Sequence, residues 1–372
     1  MSKKMKILIA PDSFKGSISA EDAANAIACG IARCCDAQTV TVPIADGGEG
    51  TLSALVPPER ITEVTVTGTG GDNVTAAYGY VGDTAVIEMA RAAGLTLVEE
   101  ARRNVLTATT FGVGQLILHA LDRGFRSFLL TAGGSGTNDG GCGLLSALGA
   151  RFTDAKSQTF IPTAGTLHRI CRIDLTHLDG RLRECCFTVA TDVKNPLLGP
   201  TGATYVYAKQ KGCDEADLPV MEAGMTHYAT LLKDMCGKDV AAIPGCGAGG
   251  GISAPLLAFL GASIRSGIDA VLEAVQFDRL LEGADAVITG EGKIDRQSLY
   301  GKAISGVCNA AAKAGVPVYA LVGCIGDDKQ VLLDMGLADI LATGDIAPSV
   351  EYSMTHASEL LEQLVCELKI FK

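Results

Sequence analysis

KILIAPDSFKGSISAEDAANAI, residues 6–27, has the pattern of a strand, a loop and a helix in direct succession. Residues 6–10 are a compact apolar run, a polar loop follows, and Ser19 opens a helical pattern with Asp22 three positions on, in the manner of a capping box. A second strand around residues 39–42 completes a β-α-β unit and runs into ADGGEGT, residues 45–51. The last third of the chain repeats this grammar. Residues 286–289 and 316–322 read as strands with a helix over 302–314 between them, then comes a strand at 340–342 and a final helix from about residue 356. Parallel α/β structure is expected at both ends of the chain.

The middle has a different rhythm. Residues 61–67, 74–81 and 85–89 are short apolar runs joined by glycine-containing turns, which predicts an antiparallel meander. Helices near 109–122 and 140–148 and strands near 127–131 and 187–191 follow. The expected architecture is an α/β domain built from residues 1–65 plus 280–372, a second mixed α/β domain inserted at 66–279, and a ligand cleft between the two.

Composition narrows the function. With 48% hydrophobic and 20% charged residues the chain can bury a core, and its formal net charge of −11 argues against nucleic acid or an anionic membrane as the main partner. Small anions remain admissible, because they need only a few local cations and backbone N–H groups. The thirteen cysteines show no CxxC spacing and the five histidines no ligand spacing, so no structural zinc site is expected. Free thiols, most of them core residues, fit a reducing cytoplasm. The N-terminal apolar run is too short for a signal peptide. Residues 240–264 carry no Lys, Glu or Asp, but Pro244, Pro255 and a glycine cluster interrupt them, so a short helix is expected in place of a membrane span.

The 45 glycines concentrate in loops that follow apolar runs, and four such loops combine them with charged or hydroxylated residues. In open α/β sheets ligands bind at the carboxyl ends of strands. The first loop, residues 10–17, offers Ser13 and Lys15; the second offers Asp46 and Glu49. The third, GGSGTNDGG at 133–141, has the composition of a phosphate cradle in Gly133, Gly134, Ser135, Gly136 and Thr137. The fourth, TGEGKIDRQSLYGK at 289–302, gathers Glu291, Lys293, Asp295, Arg296 and Lys302. TDVKNPLLGP, residues 191–200, adds Asp192 and Lys194. No Walker A loop and no G-x-S-x-G elbow occurs. Gly245, Gly247 and Gly250 match G-x-G-x-x-G, but without a preceding strand they do not make a dinucleotide site.

Taken in order, IAPDSFKGSISAEDAANAI, PIADGGEGT, AGGSGTNDGGCGLLSALGA, TDVKNPLLGP and TGEGKIDRQSLYGK resemble the successive signature segments of the bacterial type-1 glycerate kinase family, from residue 6 to about 323. The resemblance implies a Rossmann- or flavodoxin-like domain with an inserted second domain. It also implies that ATP and Mg²⁺ serve to phosphorylate D-glycerate, with 2-phosphoglycerate favoured over 3-phosphoglycerate as product. Phosphoryl transfer asks the protein mainly for positioning and charge neutralisation. On that basis Asp295 is the first candidate for the base, with Asp192 as rival base or magnesium ligand and Lys194 beside it. Ser13, Lys15, Asp46, Glu49 and Lys293 are candidates for the substrate. The run from Gly133 to Thr137, with Glu291 and Lys302, is the candidate for the ATP phosphates. Two further classes stand beside the kinase, a non-catalytic sugar-acid or nucleotide sensor and a nicotinamide-dependent hydroxy-acid dehydrogenase. The partners expected are small molecules, with a homodimer as one arrangement of an otherwise open oligomeric state.

Overall fold

Strand β1 (Met5–Pro11) is buried over its last five residues, as a strand must be when helices cover both faces of its sheet. The computed structural model describes residues 4–48, 50–295, 302–334 and 336–371. After β1 come α1 (Ala20–Cys34) and β2 (Ala37–Thr41). The central stretch supplies β3 (Thr62–Thr67), β4 (Asn73–Val81), β5 (Thr84–Glu88), α2 (Phe111–Asp122), β6 (Ser127–Thr131) and α3 (Cys142–Ala147). It continues with β7 (Cys186–Ala190), α4 (Leu218–Cys236) and β8 (Ser263–Arg265). The end of the chain gives β9 (Ala286–Ile294), α5 (Ala303–Ala314), β10 (Val318–Ile325), β11 (Leu337–Ala342), α6 (Val350–Thr355) and α7 (Ala357–Leu364).

Two compact units result. Unit 1 holds Met1–Asp46, Ser53–Pro57 and Gly267–Lys372; unit 2 holds Gly47–Leu52 and Pro58–Ser266. In unit 1 a sheet of order β11-β10-β9-β1-β2 is parallel throughout, with Ile9 opposite Ile288 and Thr41 in the flanking pairs. Ile7, Ile9, Ile288 and Leu321 pack on Ile27 and Ile31 of α1 and on Leu361 and Leu364 of α7. The helix α1 starts where the capping pattern placed it: the Asp22 N–H donates to Ser19 Oγ at 3.0 Å, and Glu21 and Asp22 place acid in the first turn.

Unit 2 is built on a sheet of order β8-β7-β6-β5-β4-β3. The meander is antiparallel from β3 to β5, and the pairings from β5 to β8 are parallel because α2 and later crossovers return the chain to the same edge. A small antiparallel sheet sets Arg151–Thr153 between Thr159–Phe160 and Arg172–Asp174.

Two expectations are corrected and one is met. The strand read at 286–289 extends to Ile294, so Glu291 and Lys293 belong to the sheet and not to a loop. As expected, the apolar stretch 240–264 holds a short helix, Ser253–Phe259, and no helix among the described residues is long and apolar enough to cross a membrane. All thirteen cysteines are free thiols, but only Cys142, Cys213, Cys246 and Cys308 are buried, so most of them are not core residues.

Candidate active site

In unit 1 the strands β1, β9 and β10 run in the same direction and deliver their following loops to one edge of the sheet. A cavity of ≈ 620 Å³ opens there. Ser13, Lys15 and Asp46 enter it from the first two strand ends, Glu291, Lys293 and Asp295 from β9, and Lys302 from the N-cap of α5. Seven nominated residues thus meet at one place. Glu49 and Arg296 lie outside the described residues.

Charges of both signs alternate across the cavity. Lys15 Nζ lies 3.8 Å from Asp46, and Lys293 Nζ lies 3.3 Å from Asp295. The Lys15 side chain is 81% exposed, so its pairing contributes little to stability and leaves the ammonium free to meet a ligand anion.

Asp12, the first residue beyond β1, was not nominated from the sequence, and it lines this cavity as well. It is only 8% exposed, and its backbone N–H is tied to the Gly290 carbonyl at 2.8 Å. Its Oδ1 accepts the Ser13 N–H at 2.6 Å, and among the described residues no cation pairs with it within 4 Å. Burial pushes its carboxyl up to about 6, the nearby Asp46 carboxylate adding to the rise against the Ser13 N–H and the Lys15 ammonium. Its signal in the sequence was a carboxylate directly after a buried strand.

Unit 2 places its nominated residues at the ends of β6 and β7. Asp192 and Lys194 are exposed just beyond β7, and Gly133, Gly134 and Ser135 are accessible just beyond β6. The rest of the glycine run is otherwise engaged. Gly136 is buried with its N–H donated to the Ala93 carbonyl at 2.8 Å, and Thr137 is fully buried. The Gly136 N–H is thus used within the fold, and the Thr137 hydroxyl, though it has no hydrogen-bond partner, is buried away from the surface.

The remainder of that loop cradles an anion of its own. Asp139, fully buried, accepts the Thr110 N–H and Oγ–H at 2.8 Å each, the Gly143 N–H at 3.2 Å and, through its other oxygen, the Gly141 N–H at 3.1 Å. Burial raises its carboxyl, and these donors oppose the rise. Lys211 comes in from a distant turn and donates to Ser135 Oγ at 2.8 Å and to the Thr137 carbonyl at 2.7 Å. Burial lowers its ammonium to about 7, and the Asp139 charge works in the opposite direction.

The G-x-G-x-x-G stretch serves the same scaffold. Gly250 sits at φ +69°, its carbonyl takes the Gly140 N–H at 3.0 Å, and a Cβ on it would lie 2.0 Å from the Thr137 carbonyl oxygen. The glycines let two backbones touch. Gly250→Ala is therefore expected to lower stability by at least about 2 kcal/mol, read as a shifted urea midpoint at unchanged m-value.

A model of the glycerate kinase family matches residues 7–370. The chain is 44% identical to a glycerate kinase of Bacillus subtilis, with 96% of this chain and 95% of that protein covered. It is also 44% identical to a glycerate 2-kinase of Escherichia coli, with 90% and 89% covered. Its fold superposes with TM-score 0.87 on the crystal structure of a protein proposed to be glycerate kinase 2 from Salmonella typhimurium LT2, at 40% identity and 98% and 97% coverage.

Proposed function

This chain belongs to the glycerate kinase family, and on that premise we infer that it transfers the γ-phosphoryl group of ATP to the 2-hydroxyl of D-glycerate, giving 2-phosphoglycerate and ADP. The observation that carries the chemistry is the strand-end cavity of unit 1, where carboxylates and ammonium groups converge around the buried Asp12.

The residues divide the work by charge. Lys15, 81% exposed at the cavity, suits the glycerate carboxylate, with Ser13 and Asp46 as neighbours for its hydroxyls. Lys293 and Lys302 suit phosphate oxygens. A general base should titrate near the working pH, and Asp12 does so where an ordinary aspartate would not. Asp12 is accordingly assigned the proton of the attacking hydroxyl as the new O–P bond forms and the bond to the β-phosphate breaks. Asp295, held by Lys293 at 3.3 Å, positions that ammonium.

Magnesium would arrive with the triphosphate. Among the described residues no three carboxylate, imidazole or thiolate groups gather as a cage. That suits an ion that keeps water and phosphate oxygens and takes one carboxylate from the protein. Asp192, exposed beyond β7, is the candidate. When bound, the ion neutralises charge on the phosphoryl oxygens. Gly133, Gly134 and Ser135 remain candidates for backbone contacts to phosphate, Lys194 for a further cation. A nicotinamide site at Gly245–Gly250 is disfavoured, because those glycines are used in backbone packing.

The test is ADP release measured with and without D-glycerate. Release that depends on D-glycerate is expected, and no release with D-glycerate or related hydroxy acids would refute kinase activity.

A further inference from the structure

The unit 1 cavity has a second, uncharged side. Beyond the lysines and carboxylates its wall is formed by Ala347, Pro348, Val350 and Met354, on and before α6. Val350 is 78% exposed and Met354 41% exposed, apolar side chains left in water at the rim of a polar site. This wall is held firmly: Ser17 Oγ donates to the Met354 carbonyl at 2.5 Å, and Ser353 and Thr343 hydroxyls meet at 2.9 Å. The strand ends beneath bring Gly292, Gly323 and Gly344 to the cavity, beside Cys324 and Thr343. A Cβ on Gly323 would meet the Gly292 carbonyl oxygen at 2.3 Å, and one on Gly344 would meet the Gly323 carbonyl oxygen at 3.0 Å. These glycines let the neighbouring strand ends pack backbone against backbone, which keeps the floor of the cavity low.

We propose that this apolar wall and glycine floor form the seat of the nucleotide's purine base, with the triphosphate running toward Lys293 and Lys302. The proposal rests on the kinase activity inferred above and adds the position of the base. A three-carbon acid is far too small to fill a cavity of ≈ 620 Å³ and has no apolar surface to offer Val350 or Met354. A purine does: its flat face suits a low, glycine-rich floor, and burial of its rings against the wall gives a reason for the exposed apolar residues. The charge at the other end of the same cavity complements the phosphates.

The test uses the full chain with Val350→Asn, an uncharged polar substitution at an exposed position that leaves the core intact. The KM for ATP and the calorimetric Kd for ADP without glycerate should each rise roughly tenfold, while the KM for D-glycerate moves less than about twofold. Inorganic tripolyphosphate, which has no base, should bind the variant and the wild type alike. Unchanged ADP affinity, equal weakening of tripolyphosphate, or a shift confined to D-glycerate would each overturn the proposal. If the wild-type chain binds ADP yet phosphorylates no D-glycerate, the kinase activity fails while the base seat is still decided by the ADP and tripolyphosphate measurements.

Discussion

Asp12→Asn is expected to lower kcat by roughly 10²- to 10⁴-fold, the usual contribution of a positioned base, without unfolding the protein. The amide is isosteric and can still accept the Ser13 N–H, so the site keeps its shape and loses its proton acceptor. In the wild type, kcat/KM should fall about tenfold per unit as pH drops below about 6, where Asp12 becomes protonated. The effect on stability runs the other way. A carboxyl raised to about 6 in the fold favours the protonated form, so its contribution is most favourable at acid pH and is lost as pH rises from about 4 through 6. Asp12→Asn should therefore stabilise the chain at pH 8, by up to about 3 kcal/mol, while disabling it. A variant that keeps wild-type kcat returns the base to Asp295; one that is inactive because it has unfolded will show it in its urea midpoint.

Asp139→Ala should have the largest effect on stability, a loss of about 3–5 kcal/mol, because it leaves buried donors with no acceptor. The Thr110, Gly141 and Gly143 N–H groups would lose their partner, and Lys211 would lose the opposing charge that supports its ammonium. Urea unfolding measures this. Asp139→Asn should cost less than the alanine, since the amide oxygen replaces one of two acceptors. A loss under about 1 kcal/mol for the alanine would mean that the loop does not depend on its internal anion.

The alternation of apolar runs and helical patterns made the parallel sheets at both chain ends legible, because buried parallel strands leave continuous apolar runs such as residues 7–10. The strand-end loops were legible for the same reason: a loop after such a run must open at the sheet's ligand edge. Individual roles were harder. Asp12 looked like the residue that ends a strand, and only burial reveals its altered carboxyl. The run from Gly133 looked like a cradle for a foreign anion, while the anion of its own loop, Asp139, is held mainly by Thr110, with Gly141 and Gly143. Lys211 sits in KQKGCDEAD, a stretch that reads as solvated, and tertiary packing alone buries it. The apolar residues around Val350 carry no motif; they gain meaning only beside the charged strand ends.

The central claim is decided most directly by the proton-coupled ³¹P spectrum of the product formed from ATP and D-glycerate. Phosphate on the 2-oxygen couples to the single hydrogen of a CH group and gives a doublet, which is the expected result. A triplet, from phosphate on the CH₂ oxygen, would contradict 2-phosphoglycerate formation, and no new phosphate ester would contradict glycerate phosphorylation altogether.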